Sequence, residues 1–256
     1  TWTRAAQAGL IFAALLSTAS AGAAERGAAS FPNRPIRLLI PFPPGGGNDT
    51  MARAIGAKLV ESWNQQVIYD NRPGANGLVA AEIAARAAPD GYTLFMANTG
   101  SHGINPALYA KLPYDPIKDF STVSLLGTTA NILVVPLVSP AKSLGELVAL
   151  AKAKPRHVTY GSNGIGSSQH LAGVMLSTAL NIELVHVPYK GTGPVLIDLL
   201  GGQIGFSFSN ALAVTQHIRA NRLRALAITS LRRSKVLPDV PAVAETIPGF
   251  EALSWW

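Results

Sequence analysis

Apolar positions along the chain change their period several times, and each change marks an element. Residues IRLLIP, from Ile36 to Pro41, form a short buried-strand pattern, apolar apart from Arg37. After a Gly/Pro turn, Ala52, Ile55, Leu59 and Trp63 recur at helical spacing. A strand near Gln66 to Tyr69 and the turn Asn71-Arg72-Pro73-Gly74 follow. An alanine-rich helix over Leu78 to Ala88 is then stopped by Pro89-Asp90-Gly91 before a strand from Tyr92 to Ala97. This βαβαβ order predicts a parallel sheet with helices on its faces. Beyond the Pro-rich link Leu112 to Pro116, an apolar strand is expected from Ile132 to Val135. Ser143-Leu144-Gly145-Glu146 reads as a capping box opening a helix to Lys154. Strand Val158 to Tyr160, helix Ser168 to Leu180, strand Ile182 to Val187, helix Pro194 to Leu200 and strand Ile204 to Phe208 come next. Strand Arg224 to Thr229 leads into the turn-rich stretch Leu237 to Glu245. A second αβ lobe is implied, and no repeat of fixed period is present.

The first 24 residues follow a different logic. They place Arg4 before an apolar stretch from Ala8 to Leu16 and end in the small residues Ala21-Gly22-Ala23, the order of a secretory signal peptide. The apolar stretch is short of the roughly 20 residues that span a bilayer; an amphipathic amino-terminal helix is the alternative. Cleavage is expected after Ala23 or Ala24. The longest later apolar run, around Ile132 to Val138, is interrupted by Pro136, so the mature protein is expected to be exported and soluble.

Composition narrows the chemistry. At 48% hydrophobic and 14% charged over 256 residues, the chain is neither disordered nor a charged coiled coil. With no cysteine, disulfides, thiolate nucleophiles, zinc ribbons and iron–sulfur ligation are all excluded. The formal charge of +7 raises nucleic acid as a partner, but the basic residues are scattered. The densest group, Arg219, Arg222, Arg224, Arg232, Arg233 and Lys235, comes with no RNP, helix-turn-helix or finger pattern, so no nucleic-acid partner is expected.

Three glycine-rich turns stand between a strand and a helix. In the first, Pro41-Phe42-Pro43-Pro44-Gly45-Gly46-Gly47-Asn48-Asp49, prolines stiffen the loop and glycines bare the backbone. Its N–H groups can approach an anion at a helix amino terminus. The same residues also suit a plain tight turn capped by Asn48 or Asp49, and Asp49 reads as a cap because its charge would compete with a bound anion. The second turn, Tyr160 to His170, spaces Gly161 and Gly166 as a phosphate loop does, yet Ser167 stands where the lysine belongs. Nucleotide hydrolysis is disfavoured; hydroxyls and amides able to hold an anion remain, or a tight turn again. In the third, Pro188 to Pro194, Thr192 reads as the cap, and Lys190 is either a point charge for an anion or a surface lysine. Gly191-x-Gly193 lacks the third glycine of a dinucleotide fingerprint.

Catalytic patterns are weaker still. His102, His157, His170, His186 and His217 are dispersed, without metal-ligand spacing, and no G-x-S-x-G elbow exists. Ser167 and His170, three apart at a helix start, suit capping better than nucleophilic catalysis.

The stretch FPNRPIRLLIPFPPGGGNDTMARAIGAKL resembles a known family, as do DNRPGANGLVAAEIAARAAPDGYTL, HGINPALYAKLPYDPIKDF, SPAKSLGELVALAKAKP, TYGSNGIGSSQHLAG, VPYKGTGPVLIDLLGGQI, LRALAITS and LPDVPAVAE. The family is the periplasmic solute-binding proteins of tripartite tricarboxylate transporters, the Bug-type receptors, and the resemblance covers nearly everything from Phe31 to Trp256. It implies an α/β, two-lobed periplasmic-binding-protein fold of type II-like form, each lobe a mostly parallel sheet flanked by helices. Residues 25–130 would begin lobe 1, 131–224 form lobe 2, and 225–256 return to lobe 1. The family's pattern would continue past Trp256 and the sequence does not open on Met, so the chain is expected to be incomplete at both ends. The resemblance implies closure on a small carboxylate; hinge motion is expected at the crossover strands, near Ile132 to Val135 and Arg224 to Thr229. By position it assigns ligand contacts to Phe42, Pro43, Gly45 and Gly46, with Ser101 and His102 nearby, and to Ser162, Gly166, Ser167, Lys190 and Gly191. Where the family commonly has Asp after the strand following GGQI, this chain has Ser209 and Asn210. That departure disfavours recognition of a ligand amine and makes Asn210 a candidate contact for a plain dicarboxylate or aromatic carboxylate. The implied role is a monomeric periplasmic receptor without cofactor, delivering its ligand to membrane permease subunits. A sensory receptor for a membrane kinase and an exported enzyme acting on a small anion are the alternatives.

Overall fold

A computed structural model describes residues 31–256; the expected signal peptide lies outside them. Strand β1 (Ile36–Ile40), helix α1 (Gly47–Trp63), β2 (Val67–Asn71), α2 (Leu78–Ala85) and β3 (Thr93–Phe95) form a parallel three-stranded sheet in the order β2-β1-β3. Helix α2 stops three residues earlier than its alanines suggest, since Ala88 precedes Pro89 and a residue before proline is steered away from helical geometry. A π-helical turn (Thr99–Ile104) and the short α3 (Asn105–Leu108) follow β3.

The second series comprises β4 (Thr128–Pro136), α4 (Leu144–Ala153), β5 (Thr159–Ser162), α5 (Ser168–Leu180), β6 (Val185–Pro188), α6 (Thr192–Leu200), β7 (Phe206–Asn210), α7 (Ala211–Arg219) and β8 (Leu223–Ile228). Its sheet runs β6-β5-β7-β4-β8, and β9 (Leu253–Trp255) adds to one end of β4. Strand β5 is parallel to β6 and β7, while β4 is antiparallel to β7, β8 and β9. The unbroken run Ile132–Val135 is explained by burial on both faces. Leu133 and Val135 join Leu144, Leu147, Leu176, Phe206 and Phe208 in one core, whereas Ile132 and Val134 join Val195, Leu199, Val214 and Leu223 in the other.

Helix α4 begins with half of the expected capping box: the Ser143 cap forms, while Glu146 reaches one residue further back than the box requires. Ser143 Oγ accepts the Glu146 N–H at 3.2 Å, and Glu146 Oε2 reaches back to the Lys142 N–H at 2.7 Å. Ser143→Ala is expected to cost about 1 kcal/mol, read as a fall of roughly 2–4 °C in thermal unfolding.

Two expectations shift. Residues from 225 onward do not yet return to the first lobe. Leu226, Val243 and Phe250 pack in one core of the large sheet, and Val240 and Ala242 in the other. The return is made by β9, beyond which Trp256 packs with Leu38, Ile40, Ala52, Val67 and Met96 of the small sheet. The expected hinge segments lie deep inside the large sheet, where Ile132, Leu133, Val134 and Val135 are at most 1% exposed and have no freedom to bend. The chain crosses between sheets instead at 126–130 and 253–256, tied by Leu126 N–H to Trp256 O at 2.8 Å and Trp256 N–H to Gly127 O at 3.2 Å.

Candidate ligand-binding site

Parallel strands with helical crossovers deliver the amino termini of successive helices to one edge, the carboxyl ends of the strands. Here two such edges face each other. From the small sheet come the start of α1 (Gly46, Gly47, Asn48) and the start of the π-helical turn (Asn98, Thr99, Gly100). From the large sheet come the starts of α5 (Ser167, Ser168, Gln169), α6 (Thr192) and α7 (Asn210). These residues enclose a cavity of about 40 Å³, completed by Phe42, Asn76, Asn163, Ser254, Trp255 and Trp256.

The two walls touch. Asn76 Nδ2 donates to the Gly166 carbonyl at 2.7 Å, and the Ser168 and Ser254 hydroxyls lie 2.7 Å apart. A Cβ added to Gly47 would come 2.9 Å from Asn210, and one on Gly191 2.7 Å from Pro43. Asn76 reaches across from a left-handed loop, with φ +44° at Ala75 and +52° at Asn76. Such backbone is uphill for alanine and persists where the surroundings enforce it.

Every side chain lining the cavity is neutral. The nearest carboxylate, Asp49, is turned away, accepting Gly45 N–H at 3.0 Å, Arg53 Nε at 2.9 Å and Asn71 Nδ2 at 3.1 Å. Burial alone would raise its pKa, but the bonds from Arg53, Gly45 and Asn71 outweigh that and hold it below the usual carboxylate range. What remains at the cavity is the positive end of five helical dipoles, some of whose first-turn N–H groups are held by their caps, a setting for an anion held without a side-chain cation. No group of three or more His, Cys, Asp or Glu residues among the described residues is placed to hold a metal.

Of the twelve candidate residues, Phe42, Gly46, Ser167 and Asn210 line the cavity. Ser167 Oγ caps α5 through the His170 N–H at 3.2 Å, and Asn210 Oδ1 caps α7 through Leu212 N–H at 3.0 Å. The other eight lie outside it. The Gly45 N–H is consumed by Asp49. Pro43 and Gly191 meet each other at the rim, and Lys190 is exposed. Gly191, not Thr192, is the N-cap of α6; Thr192 Oγ1 donates to Asn163 Oδ1 at 3.2 Å. Ser101 is fully buried in a capping box with Asn98, and His102 packs among Phe95, Tyr114 and Phe120. Both support the π-helical turn from behind. Gly166 N–H donates to His170 Nδ1 at 3.2 Å, and Ser162 Oγ lies 2.6 Å from His186 Nε2. The two imidazoles are 4.2 Å apart and fasten the second glycine turn. Burial lowers the pKa of each, that of His186 to about 4 with help from His170.

The residues that were missed share a signal. Asn48, Asn76, Asn98, Asn163 and Gln169 are amides at or near helix starts, where they read as caps.

Residues 51–256 match the family described as "Tripartite tricarboxylate transporter family receptor". The protein BugT of Bordetella pertussis is 39% identical over 241 residues, 93% of this chain and 74% of its own. Among solved structures, an R. palustris protein with adipate superposes with a TM-score of 0.86 at 36% identity, covering 88% of this chain and 76% of that one. MatC of Rhodopseudomonas palustris with bound malate gives 0.83 at 34% identity, covering 88% and 77%.

Proposed function

The chain belongs to the tripartite tricarboxylate transporter receptor family, and on that premise we propose that it captures a small carboxylate in the periplasm and hands it to membrane permease subunits. The observation that carries the reading is the convergence of five helical amino termini on a cavity between the two sheets whose lining has no charged side chain. A hydrogen bond to a charged group contributes roughly 1.5–3 kcal/mol. Four to six of them, from both walls, offset the ordering costs and reach about −8 kcal/mol, micromolar binding. Amides in place of a buried arginine keep the ligand releasable, as delivery requires. Adipate and malate in two structural neighbours are of the same chemical class.

Closure brings the walls together, and the crossing segments 126–130 and 253–256 take up the motion. The test is a thermal-shift screen against malate, succinate, adipate, citrate and benzoate, since a ligand that binds only the folded state raises the melting temperature. A rise of several degrees with at least one acid is expected at millimolar concentration, with compaction of that complex in small-angle scattering. No rise with any of them removes the substrate class.

A further inference from the structure

Asn98 carries two functions in one amide. It is the N-cap of the π-helical turn, and its Oδ1 accepts the N–H groups of Gly100 at 2.7 Å and Ser101 at 3.1 Å. Only the oxygen can accept these bonds, so the orientation of the amide is fixed and Nδ2 is the end left over. That nitrogen is buried, has no hydrogen-bond partner, and belongs to a residue 5% exposed on the cavity wall. Gly77, at φ +87°, leaves room beside it; a Cβ there would stand 3.4 Å from Nδ2. A buried donor without an acceptor is rare and asks for an explanation.

Asn48 poses the matching case on the neighbouring element. It is the second residue of α1, 8% exposed, and its Oδ1 is buried without a partner on the same wall. No other bond orients this amide, so it can turn either end to the cavity.

We propose that Asn98 Nδ2 is a preset donor to an ionised carboxylate oxygen of the ligand, and that Asn48 is the adaptable partner that takes a hydroxyl or a second oxygen beside it. The proposal rests on the carboxylate reading above and assigns its recognition to a residue that serves the fold at the same time. Asn98 Oδ1 holds two N–H groups in place, so Nδ2 meets the ligand without reorganising. Asn48 sets how the substituent next to that carboxylate is received.

Substitution separates the two functions. Asn98→Asp keeps a capping oxygen, because Asp ranks with Asn at this position, but points an acceptor at the ligand. Asn98→Ala removes cap and donor together and leaves a neutral wall. If Asn98 only capped the turn, stability and affinity would fall in one order, Asn above Asp above Ala. If Nδ2 holds a carboxylate, the orders cross. The melting temperature follows Asn, Asp, Ala, whereas affinity at pH 7 follows Asn, Ala, Asp, with Asn98→Asp at least tenfold weaker than wild type. The measurement is isothermal titration with whichever of the five acids shifts wild type most, alongside melting of the ligand-free variants. Asn98→Asp within threefold of wild type, or an affinity order that tracks melting, overturns the role of Asn98 and leaves the carboxylate reading standing. Wild type that binds none of the acids overturns both.

Discussion

Replacing Gly47 by valine is expected to weaken carboxylate binding by at least about 100-fold while the ligand-free protein melts within about 2 °C of wild type. Gly47 is the first residue of α1 and has ordinary backbone angles, so a side chain costs little while the lobes stand apart. Across the cavity the geometry is unforgiving. Even a Cβ would come 2.9 Å from Asn210 Cγ and Oδ1, and Asn210 has nowhere to retreat because that oxygen caps α7 and the residue is 4% exposed. Valine therefore props the lobes open and removes the ligand contacts of one wall. Losing two bonds of about 1.5–3 kcal/mol each exceeds the roughly 2.7 kcal/mol that corresponds to 100-fold. Gly46→Ala is the control. Its Cβ would meet Thr192 Oγ1 at 3.4 Å, an ordinary contact, so less than a tenfold loss is expected. Calorimetric titration of both variants decides the matter. Gly47→Val binding within threefold of wild type would mean that the walls need not meet.

How much of this was legible in the chain depends on whether local pattern or distant pairing decides. The strands and helices that bury a broad apolar face announced themselves: Ile132 to Val135 as an unbroken run, Leu144 and Leu147 behind their capping box. Helix α7 escaped although Ala211, Val214 and Ile218 recur at helical spacing and pack on one core; it is short and fully buries only Val214. The strand expected from Ile182 starts three residues later. Ile182 instead closes the end of α5, its N–H on Ser177 O at 3.0 Å after left-handed Asn181, a helix-stop geometry that an apolar run resembles. In the site, the glycine turns were legible as helix starts but not by the direction each group faces. Ser101, His102, Ser162 and Gly166 carry suitable chemistry and spend it inside the fold. Asn76 and Asn98 line the cavity only because the chain brings together residues far apart in sequence, which no local pattern records.

The glycine turn behind α5 also makes the receptor sensitive to acid. Lowering the pH from 7.5 to 5.0 is expected to reduce the melting temperature by about 3–6 °C and to weaken carboxylate binding. His170 accepts the Gly166 N–H on Nδ1 at 3.2 Å, so that nitrogen must be unprotonated. His186 sits 4.2 Å from it, beside Ser162 and the ring of Tyr160, and a charge on either imidazole repels one on the other. Burial lowers both pKa values, His186 to about 4. Since the folded pKa lies below the unfolded value near 6.5, the unfolded chain takes up the proton first. Stability is therefore whole above about pH 6.5 and drains as pH falls toward 4. For His186 alone the full shift corresponds to roughly 3 kcal/mol, but the rings are partly exposed and pH 5.0 is only part of the way, which leaves about 1–2 kcal/mol for the pair. At roughly 2–4 °C per kcal/mol for a chain of this size, that sets the expected fall. Binding weakens by the same route. The Gly166 carbonyl is the acceptor for Asn76 across the cavity, and a protonated His170 can no longer hold the N–H of that same residue. Glutamine at both histidine positions removes the titration and should flatten the melting temperature between the two pH values. An equal fall in that double variant would place the acid sensitivity elsewhere in the fold.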